Sequence, residues 1–218
     1  MFAYPRQTEF NRPVPKTKIY AHARASKRLK ELFVAQVGEI VWKYKLSPET
    51  VNLPARNGIS EIQVFELMLK TPELDDAVLA TLDKAIPFPL LFQLVHDGQI
   101  RFAAAYKRPS EADASKWVVE ARFQTGPQPV GAERPPLPVA LDLAGLYEQL
   151  VRRHIALPPR AGEGIMEHVT RFNAITAKQH TRRQLETRLA QEKQFNRKVE
   201  MNAALRSLMN EIRSLAHI

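Results

Sequence analysis

The sequence predicts an α+β fold, with a mixed, mainly antiparallel sheet on which helices pack, followed by long C-terminal helices. The first observation is that residues 39–124 contain several short segments of alternating apolar and polar residues, separated by Pro and Gly. The second is that segments with apolar residues at helical spacing lie before, between and after these strands. The third is that residues 165–215 contain neither Pro nor Gly, which favours long helices there.

Residues 1–18 are predicted to form an extended, basic N-terminal arm, because three prolines interrupt any regular helix. An α+β domain over residues 19–155 follows. Its first helix is predicted over Tyr20–Val37 and ends at Gly38. The other predicted elements of this domain are strands over 39–46 and 59–70, a helix over 72–85, strands over 89–95, 99–107 and 116–124, and a helix over 141–155.

Local signals support several of these boundaries. Thr71-Pro72-Glu73 predicts the start of the helix over 72–85, with Thr71 as its cap. Asp97-Gly98 predicts a two-residue hairpin turn between two strands. Residues 126–138 contain five prolines and two glycines, which predicts a linker or a long surface loop.

The strand over 39–46 mixes aromatic and basic side chains. Trp42 and Tyr44 alternate with Lys43 and Lys45, so the pattern predicts both rings on one face and both lysines on the other. We interpret it as an amphipathic strand with its rings in the core. The alternative is a surface that stacks bases and binds phosphates.

Residues 156–218 are predicted to form a C-terminal helical arm or an antiparallel helical hairpin. Between Ala177 and Glu200 the helix is too polar to pack a broad face into a core. A narrow apolar seam with the spacing of a coiled coil follows. We interpret the apolar residues of this region as contacts to a protein partner: Leu185, Leu189, Phe195, Val199, Leu205, Leu208 and Ile212.

Positive charge is concentrated at the two ends of the sequence. The chain has 32 Lys and Arg against 23 Asp and Glu, a formal net charge of +9. Residues 1–30 contain eight basic residues and one acid, and residues 177–218 contain nine basic residues and four acids. This favours an anionic partner, nucleic acid first, with a solvated basic surface as the alternative. The candidate phosphate-binding residues are Arg182, Arg183, Arg188, Lys193, Arg197 and Lys198.

The sequence contains no recognisable catalytic or metal-binding motif. Without Cys it can form no disulfide, thiolate zinc site or thiol nucleophile. Its glycines form no phosphate-binding loop, its histidines lack metal-ligand spacing, and no serine-hydrolase elbow is present. We therefore predict no catalytic residue, metal or cofactor. The remaining catalytic alternative is a divalent-metal nuclease that would use Glu39, Glu61, Glu66 and Lys70.

No segment reaches the roughly 18–20 apolar residues needed to cross a bilayer. The N-terminal residues also lack the apolar stretch of a secretory signal. We therefore expect a cytoplasmic protein without a membrane partner, and self-association into homo-oligomers stays open.

Five segments occur together in a recognisable order: VWKYKLSPETVNLP (41–54), EIQVFELMLK (61–70), LDKAIPFPLLFQL (82–94), IRFAAAYKRP (100–109) and LDLAGLYEQLVRRHI (141–155). Together they resemble a bacterial family, the domain of unknown function numbered 4391. The resemblance covers roughly residues 15–215. Its most distinctive parts are the SPETVNLP turn and the LDKAIPFPLLF junction, where two prolines end a helix and start a strand.

The family has no established catalytic residues, so the resemblance implies none for this chain. It implies a genomic setting beside DNA methyltransferases and helicases, in restriction-modification-like and phage-defence clusters. We therefore expect a non-catalytic accessory subunit that docks on a helicase or DNA methyltransferase of the same gene cluster, with its basic ends near DNA. The alternatives are an autonomous basic nucleic-acid-binding module and the nuclease.

Overall fold

The computed structural model describes residues 2–113 and 116–217. The chain divides into two compact units, unit 1 (residues 1–154) and unit 2 (residues 155–218). Unit 1 combines strands and helices, whereas the regular structure of unit 2 is helical. No helix within the described residues is both long and apolar enough to cross a membrane.

A mixed sheet forms the centre of unit 1. Its strands within the described residues are β1 (Glu9–Pro13), β2 (Val37–Leu46), β3 (Ile62–Leu69), β4 (Leu90–His96), β5 (Gln99–Pro109), β6 (Trp117–Gln124) and β7 (Gln128–Pro129). The spatial order is β1-β2-β3-β4-β5-β6, and β7 pairs with β5. Neighbouring strands are antiparallel except β3 and β4, which are parallel. The predicted α+β class, with its mixed and mainly antiparallel sheet, is confirmed.

The helices of unit 1 cover the sheet and connect its strands. They are α1 (Lys16–Ala23), α2 (Lys27–Gln36), α3 (Pro48–Val51), α4 (Asp76–Ala85) and α5 (Leu143–Arg152). Apolar residues of α1, α2 and α4 pack with one face of the sheet, where Phe33, Phe65 and Phe92 are at most 1% exposed. Burying one such side chain contributes about 1.5–3 kcal/mol, so this cluster is the main source of stability for that face.

Helix α5 contacts β5 through a hydrogen-bonded tyrosine. The register of β5 against β6 shifts between Tyr106 and Lys107, which marks a β-bulge. The hydroxyl of Tyr147 accepts the backbone N–H of Lys107 at 2.8 Å and donates to the carbonyl of Ala105 at 2.6 Å. Tyr147 thus satisfies buried backbone groups at the bulge, and its burial raises the pKa of its hydroxyl.

The N-terminal region differs from its predicted outline. The extended arm predicted for residues 1–18 is partly the edge strand β1, and its last residues begin α1. The single helix predicted over Tyr20–Val37 is wrong in extent, because Arg24 adopts the left-handed conformation and ends α1. Helix α2 then starts afresh, with the hydroxyl of Ser26 accepting the N–H of Leu29.

The predicted alternation along β2 is interrupted by a bulge. Trp42 pairs with Phe65 and Tyr44 pairs with Val64, so the register shifts at Lys43. Phe65 and Val64 are successive residues and point to opposite faces of the sheet, which places Trp42 and Tyr44 on opposite faces as well. Trp42 packs against the helix-covered core and Tyr44 stacks on Tyr4 at 4.5 Å. The prediction that both rings share one face is therefore wrong.

The start of α4 also differs from the prediction. Helix α4 begins at Asp76, and the side chain of Asp75 accepts the N–H of Ala77 at 2.8 Å. The hydroxyl of Thr71 instead donates to the carbonyl of Glu73, in a segment that Arg101 of β5 holds through hydrogen bonds. Contacts with a neighbouring strand therefore override the local capping signal.

Unit 2 contains two long helices, α6 (Ile165–Gln191) and α7 (Phe195–Ala216). Three residues join them, so the two helices run antiparallel and form a hairpin. The ion pair between Lys178 and Glu211 joins the middle of α6 to α7. The prediction of long C-terminal helices is confirmed, in its hairpin form.

Candidate protein and nucleic-acid interface

The connection between α6 and α7 is a tight, capped turn. The Oε1 atom of Glu192 accepts the N–H groups of Lys193 at 2.7 Å and Gln194 at 2.8 Å. These hydrogen bonds, the one from Gln194 first, lower the pKa of the Glu192 carboxyl. An ionised carboxylate therefore fixes the point where α6 ends and α7 begins.

The two helices meet along a narrow seam. On α7, Leu205 is buried and Met201, Leu208, Ile212 and Leu215 are half-buried, at alternating spacings of four and three residues. On α6, the corresponding half-buried apolar residues towards the turn are Leu185 and Leu189. Five of the predicted partner contacts therefore lie in this seam: Leu185, Leu189, Leu205, Leu208 and Ile212.

The other two predicted partner contacts lie outside the seam. Phe195 is 77% exposed and Val199 is 52% exposed, and Met209 further along α7 is 45% exposed. At 3.6 residues per turn these three side chains project within about 80° of one another, on a face distinct from the seam. We call Phe195, Val199 and Met209 the α7 stripe. Large apolar side chains grouped on one exposed face indicate an interaction surface.

Basic side chains surround the turn. Six basic and two acidic residues lie between positions 182 and 198. The predicted phosphate-binding residues Arg183, Arg188, Lys193, Arg197 and Lys198 are exposed, whereas Arg182 is half-buried. Two of the six also meet carboxylates: the Nε atom of Arg182 lies 3.4 Å from Glu186, and Arg197 lies 3.9 Å from Glu192.

The opposite end of the hairpin is closed by buried charges that the sequence analysis did not single out. Arg171 donates to both carboxylate oxygens of Glu163, at 2.6 and 2.8 Å, and to the carbonyls of Leu215 and Pro158. The hydrogen bonds from Arg171 lower the pKa of Glu163 to about 2. Arg160 also donates to the Leu215 carbonyl and to two further carbonyls at the end of α7, those of Ser214 and His217. These contacts make the segment after α5, predicted only as a chain breaker, an integral part of unit 2.

Three of the four residues of the nuclease alternative have separate partners, and the fourth is exposed. Glu66 accepts from Lys43 at 3.0 Å, and Glu61 lies 3.0 Å from Lys45. Lys70 donates to the carbonyl of Val34, and Glu39 is exposed on β2. Among residues 2–113 and 116–217, no three His, Asp or Glu side chains are grouped so that they could hold a metal ion. The structure therefore does not assemble these four residues into one site.

A buried charge cluster in unit 1 joins two of the segments that carry the family resemblance. Lys107 of β5 has a fully buried side chain, and its Nζ atom lies 3.3 Å from Asp83 of α4. The same Nζ donates to the carbonyls of Asp83, Ile86 and Phe88, at 2.8–3.1 Å. Burial lowers the pKa of Lys107, but donation to three carbonyls uses the three N–H bonds of an ammonium group.

Arg122 of β6 completes this cluster. Its Nε atom donates to the second carboxylate oxygen of Asp83 at 3.0 Å, while the Asp83 side chain is only 1% exposed. The sequence signal for the cluster is that Asp83 lies in LDKAIPFPLLF and Lys107 in IRFAAAYKRP. The alternation of side chains along a strand assigns Lys107 to one face of β5, but it does not predict which residues Lys107 contacts.

The sequence was compared with family profiles, curated proteins and solved structures. No curated protein and no solved structure matches it. One family profile matches residues 2–212, which is nearly the whole chain and includes both units. The chain therefore belongs to the family described as Domain of unknown function (DUF4391).

Proposed function

We propose that this protein is a non-catalytic interaction subunit of a bacterial DNA-processing complex of the restriction-modification or phage-defence type. The hairpin of α6 and α7 docks on the helicase or DNA methyltransferase of that complex, and the basic residues around the turn lie near DNA. The observation that carries the proposal is the α7 stripe, an exposed apolar face beside a basic turn. The genomic setting implied by the family resemblance supports the choice of partner.

The apolar residues of unit 2 divide into those that hold the hairpin together and those that are exposed. The seam already uses Leu205 and its neighbours to hold the hairpin together, so those residues maintain the docking element. Phe195 and Val199 pack into no core, and aromatic side chains that are exposed in the free protein are typical anchors of protein interfaces. The stripe is therefore the part of the hairpin that would contact the partner directly.

The test is co-purification of the tagged chain with the products of its neighbouring genes. Size exclusion at about 150 mM and about 500 mM salt separates an apolar interface from a mainly electrostatic one, because exposed charges are screened at the higher concentration. We expect a stoichiometric complex at both salt concentrations. The Phe195→Ser, Val199→Ser double variant is expected to weaken it by about 30-fold or more, the size of an interface hot spot.

A matched control uses exposed apolar residues of unit 1. Val139 and Leu141 are 92% and 86% exposed, so the Val139→Ser, Leu141→Ser variant removes the same kind of surface elsewhere. This control should co-purify like the wild type. A complex that survives both double variants equally well would show that the stripe is not the docking surface.

A second function, autonomous binding of DNA or RNA, is favoured by the excess of exposed basic residues around the turn. Phosphate contacts release counterions, so this function predicts submicromolar binding that falls steeply with salt. Charge reversal at Arg182, Arg183, Arg197 and Lys198 should abolish it. Charge reversal at Arg24, Lys27, Arg28 and Lys30 changes the net charge equally and shows whether location or total charge matters. Binding that resists both sets of reversals would reject this function.

A further inference from the structure

A cleft of about 470 Å³ lies in unit 1 between the end of α4 and the outer strand β6. Such a volume falls within the roughly 300–1,000 Å³ typical of small-molecule sites. From α4 and the turn after it, Asp83, Lys84 and Pro87 line the cleft, and β6 contributes Trp117, Val119 and Arg122. The bulge between β5 and β6 lets these three residues of β6 share the face that looks towards α4, because Lys107 pairs with Val119 and Ala105 with Arg122.

The cleft carries an excess of positive charge. The carboxylate of Asp83 is buried between Lys107 and Arg122, so one negative charge faces two positive ones. Lys84 is exposed at the last turn of α4, with no ion-pair partner in the described part of the chain. Lys116 also lines the cleft, but its ion pair with Asp113 at 2.9 Å offsets its charge.

The end of α4 would ordinarily repel an anion. Free carbonyls give the C-terminal end of a helix a partial negative charge. Here the carbonyls of Asp83, Ile86 and Phe88 all accept hydrogen bonds from the buried ammonium of Lys107. Lys107 therefore offsets the negative end of α4, which would otherwise disfavour a phosphate.

The hydrogen bond to Asp83 holds the Arg122 side chain in an orientation that suits anion binding. Its Nε atom is held by Asp83, while its side chain remains 31% exposed and its terminal nitrogens have no partner among the described residues. An arginine oriented by a carboxylate presents its remaining N–H donors as a fork that matches two phosphate oxygens. Lys84 supplies a second, flexible cation beside it.

The remaining wall of the cleft is aromatic. Trp117 is half-buried and stacks on no other ring of the described residues. A tryptophan face beside two cations is the combination with which proteins bind a nucleotide, by stacking on the base and pairing with the phosphate.

We propose that this cleft binds a nucleotide unit, with the phosphate on Arg122 and Lys84 and the base on Trp117. The unit comes either from a free nucleotide or from a single strand of nucleic acid, since both offer the same phosphate and base. The site lies in unit 1 and uses none of the hairpin residues, so a negative result for this site would leave the proposed docking function unaffected, and the reverse.

The experiment measures two probes on the full chain. One is a fluorescein-labelled oligothymidylate of about 12 nucleotides, followed by anisotropy. The other is thymidine monophosphate, followed by isothermal titration calorimetry. We expect Trp117→Leu and Lys84→Glu each to weaken the probe that binds by about tenfold or more. Lys27→Glu, which removes an exposed lysine of α2, should leave binding unchanged.

The results for the two probes support or overturn the proposal as follows. Binding of both probes, with both weakened by the cleft variants, identifies a site for free nucleotides. Binding of the oligonucleotide alone, weakened in the same way, identifies a single strand as the source. The proposal is overturned if neither probe binds at millimolar concentration, or if the cleft variants bind like Lys27→Glu. Far-UV circular dichroism of each variant confirms that the fold is intact.

Discussion

Replacing Lys107 by Met tests whether the buried charge cluster stabilises unit 1. Methionine keeps nearly the same length and volume but removes the ammonium group. The substitution leaves Asp83 with Arg122 as its remaining cation, and it leaves three carbonyls without the donor they share.

The expected loss can be estimated from these contacts. Removing one partner of a buried ion pair costs about 3–5 kcal/mol. Each orphaned buried acceptor would add about 1–3 kcal/mol, but Ile86 and Phe88 are only half-buried, and the Ile86 carbonyl still accepts the N–H of Phe88 at 2.9 Å. Arg122 also compensates part of the charge on Asp83. We therefore expect the free energy of unfolding to fall by about 4 kcal/mol, a large part of the roughly 5–15 kcal/mol of a typical domain.

The assay is urea unfolding followed by tryptophan fluorescence. Both tryptophans, Trp42 and Trp117, lie in unit 1, so the signal reports this unit alone. Lys84→Met, an exposed neighbour, is the matched control and should change stability by less than about 0.5 kcal/mol. In the Lys107→Met, Asp83→Asn double variant the losses should fall short of additivity by about 1 kcal/mol or more. A Lys107→Met variant within about 1 kcal/mol of wild type would refute the reasoning.

Three further predictions concern the buried groups Arg171, Glu163 and His154. Arg171→Ala should destabilise the hairpin by about 3–5 kcal/mol, because it breaks an ion pair whose side chains, Arg171 and Glu163, are only 5% and 7% exposed. Thermal unfolding followed by circular dichroism measures this loss. As the control, Arg183→Ala removes an exposed arginine and should have almost no effect. The pKa of Glu163 is lowered from 4.5 to about 2, so its ionised carboxylate stabilises the folded state fully above pH 4.5. This contribution should disappear as the pH falls towards 2. Glu163→Gln should remove this pH dependence, measured by the circular dichroism of the helices. Burial lowers the pKa of His154 to about 4, so between pH 6.5 and 4 the unfolded state binds more protons than the folded state. The free energy of unfolding of unit 1 should therefore decrease by about 3 kcal/mol as the pH falls from 6.5 to 4. A His154→Leu variant whose urea midpoint still shifts by the same amount would contradict this.

Sequence signals predicted the elements whose ends are set locally. The Asp97-Gly98 turn has positive φ at both residues, as the two-residue hairpin required. Asp142 caps α5 by accepting the N–H of Gly145 at 2.8 Å, at the start of a helix predicted from its apolar spacing. In both cases the side chains or the turn residues themselves determine the backbone conformation.

Elements that depend on distant partners could not be predicted in the same way. Strand β1 is polar and ends in Pro13, and it is a strand because β2 offers it backbone hydrogen bonds. The bulge at Lys43 depends on how β2 pairs with β3. The contacts of Lys107 come from three carbonyls in α4 and the turn after it, which no pattern within its own strand contains. The apolar set of the hairpin was found from spacing, but its division into seam and stripe required the packing of α6 on α7.

The two outermost strands have a consequence for how the protein behaves at high concentration. A straight exposed strand can recruit a strand of another molecule and start aggregation. Strand β1 is short, its register slips between Glu9 and Arg12, and Pro13 provides no N–H donor. At the other side of the sheet, β6 is bent by its bulge and carries the charged residues Glu120 and Arg122. Neither border offers a regular ladder, so the sheet of unit 1 is protected against growing from one molecule into the next.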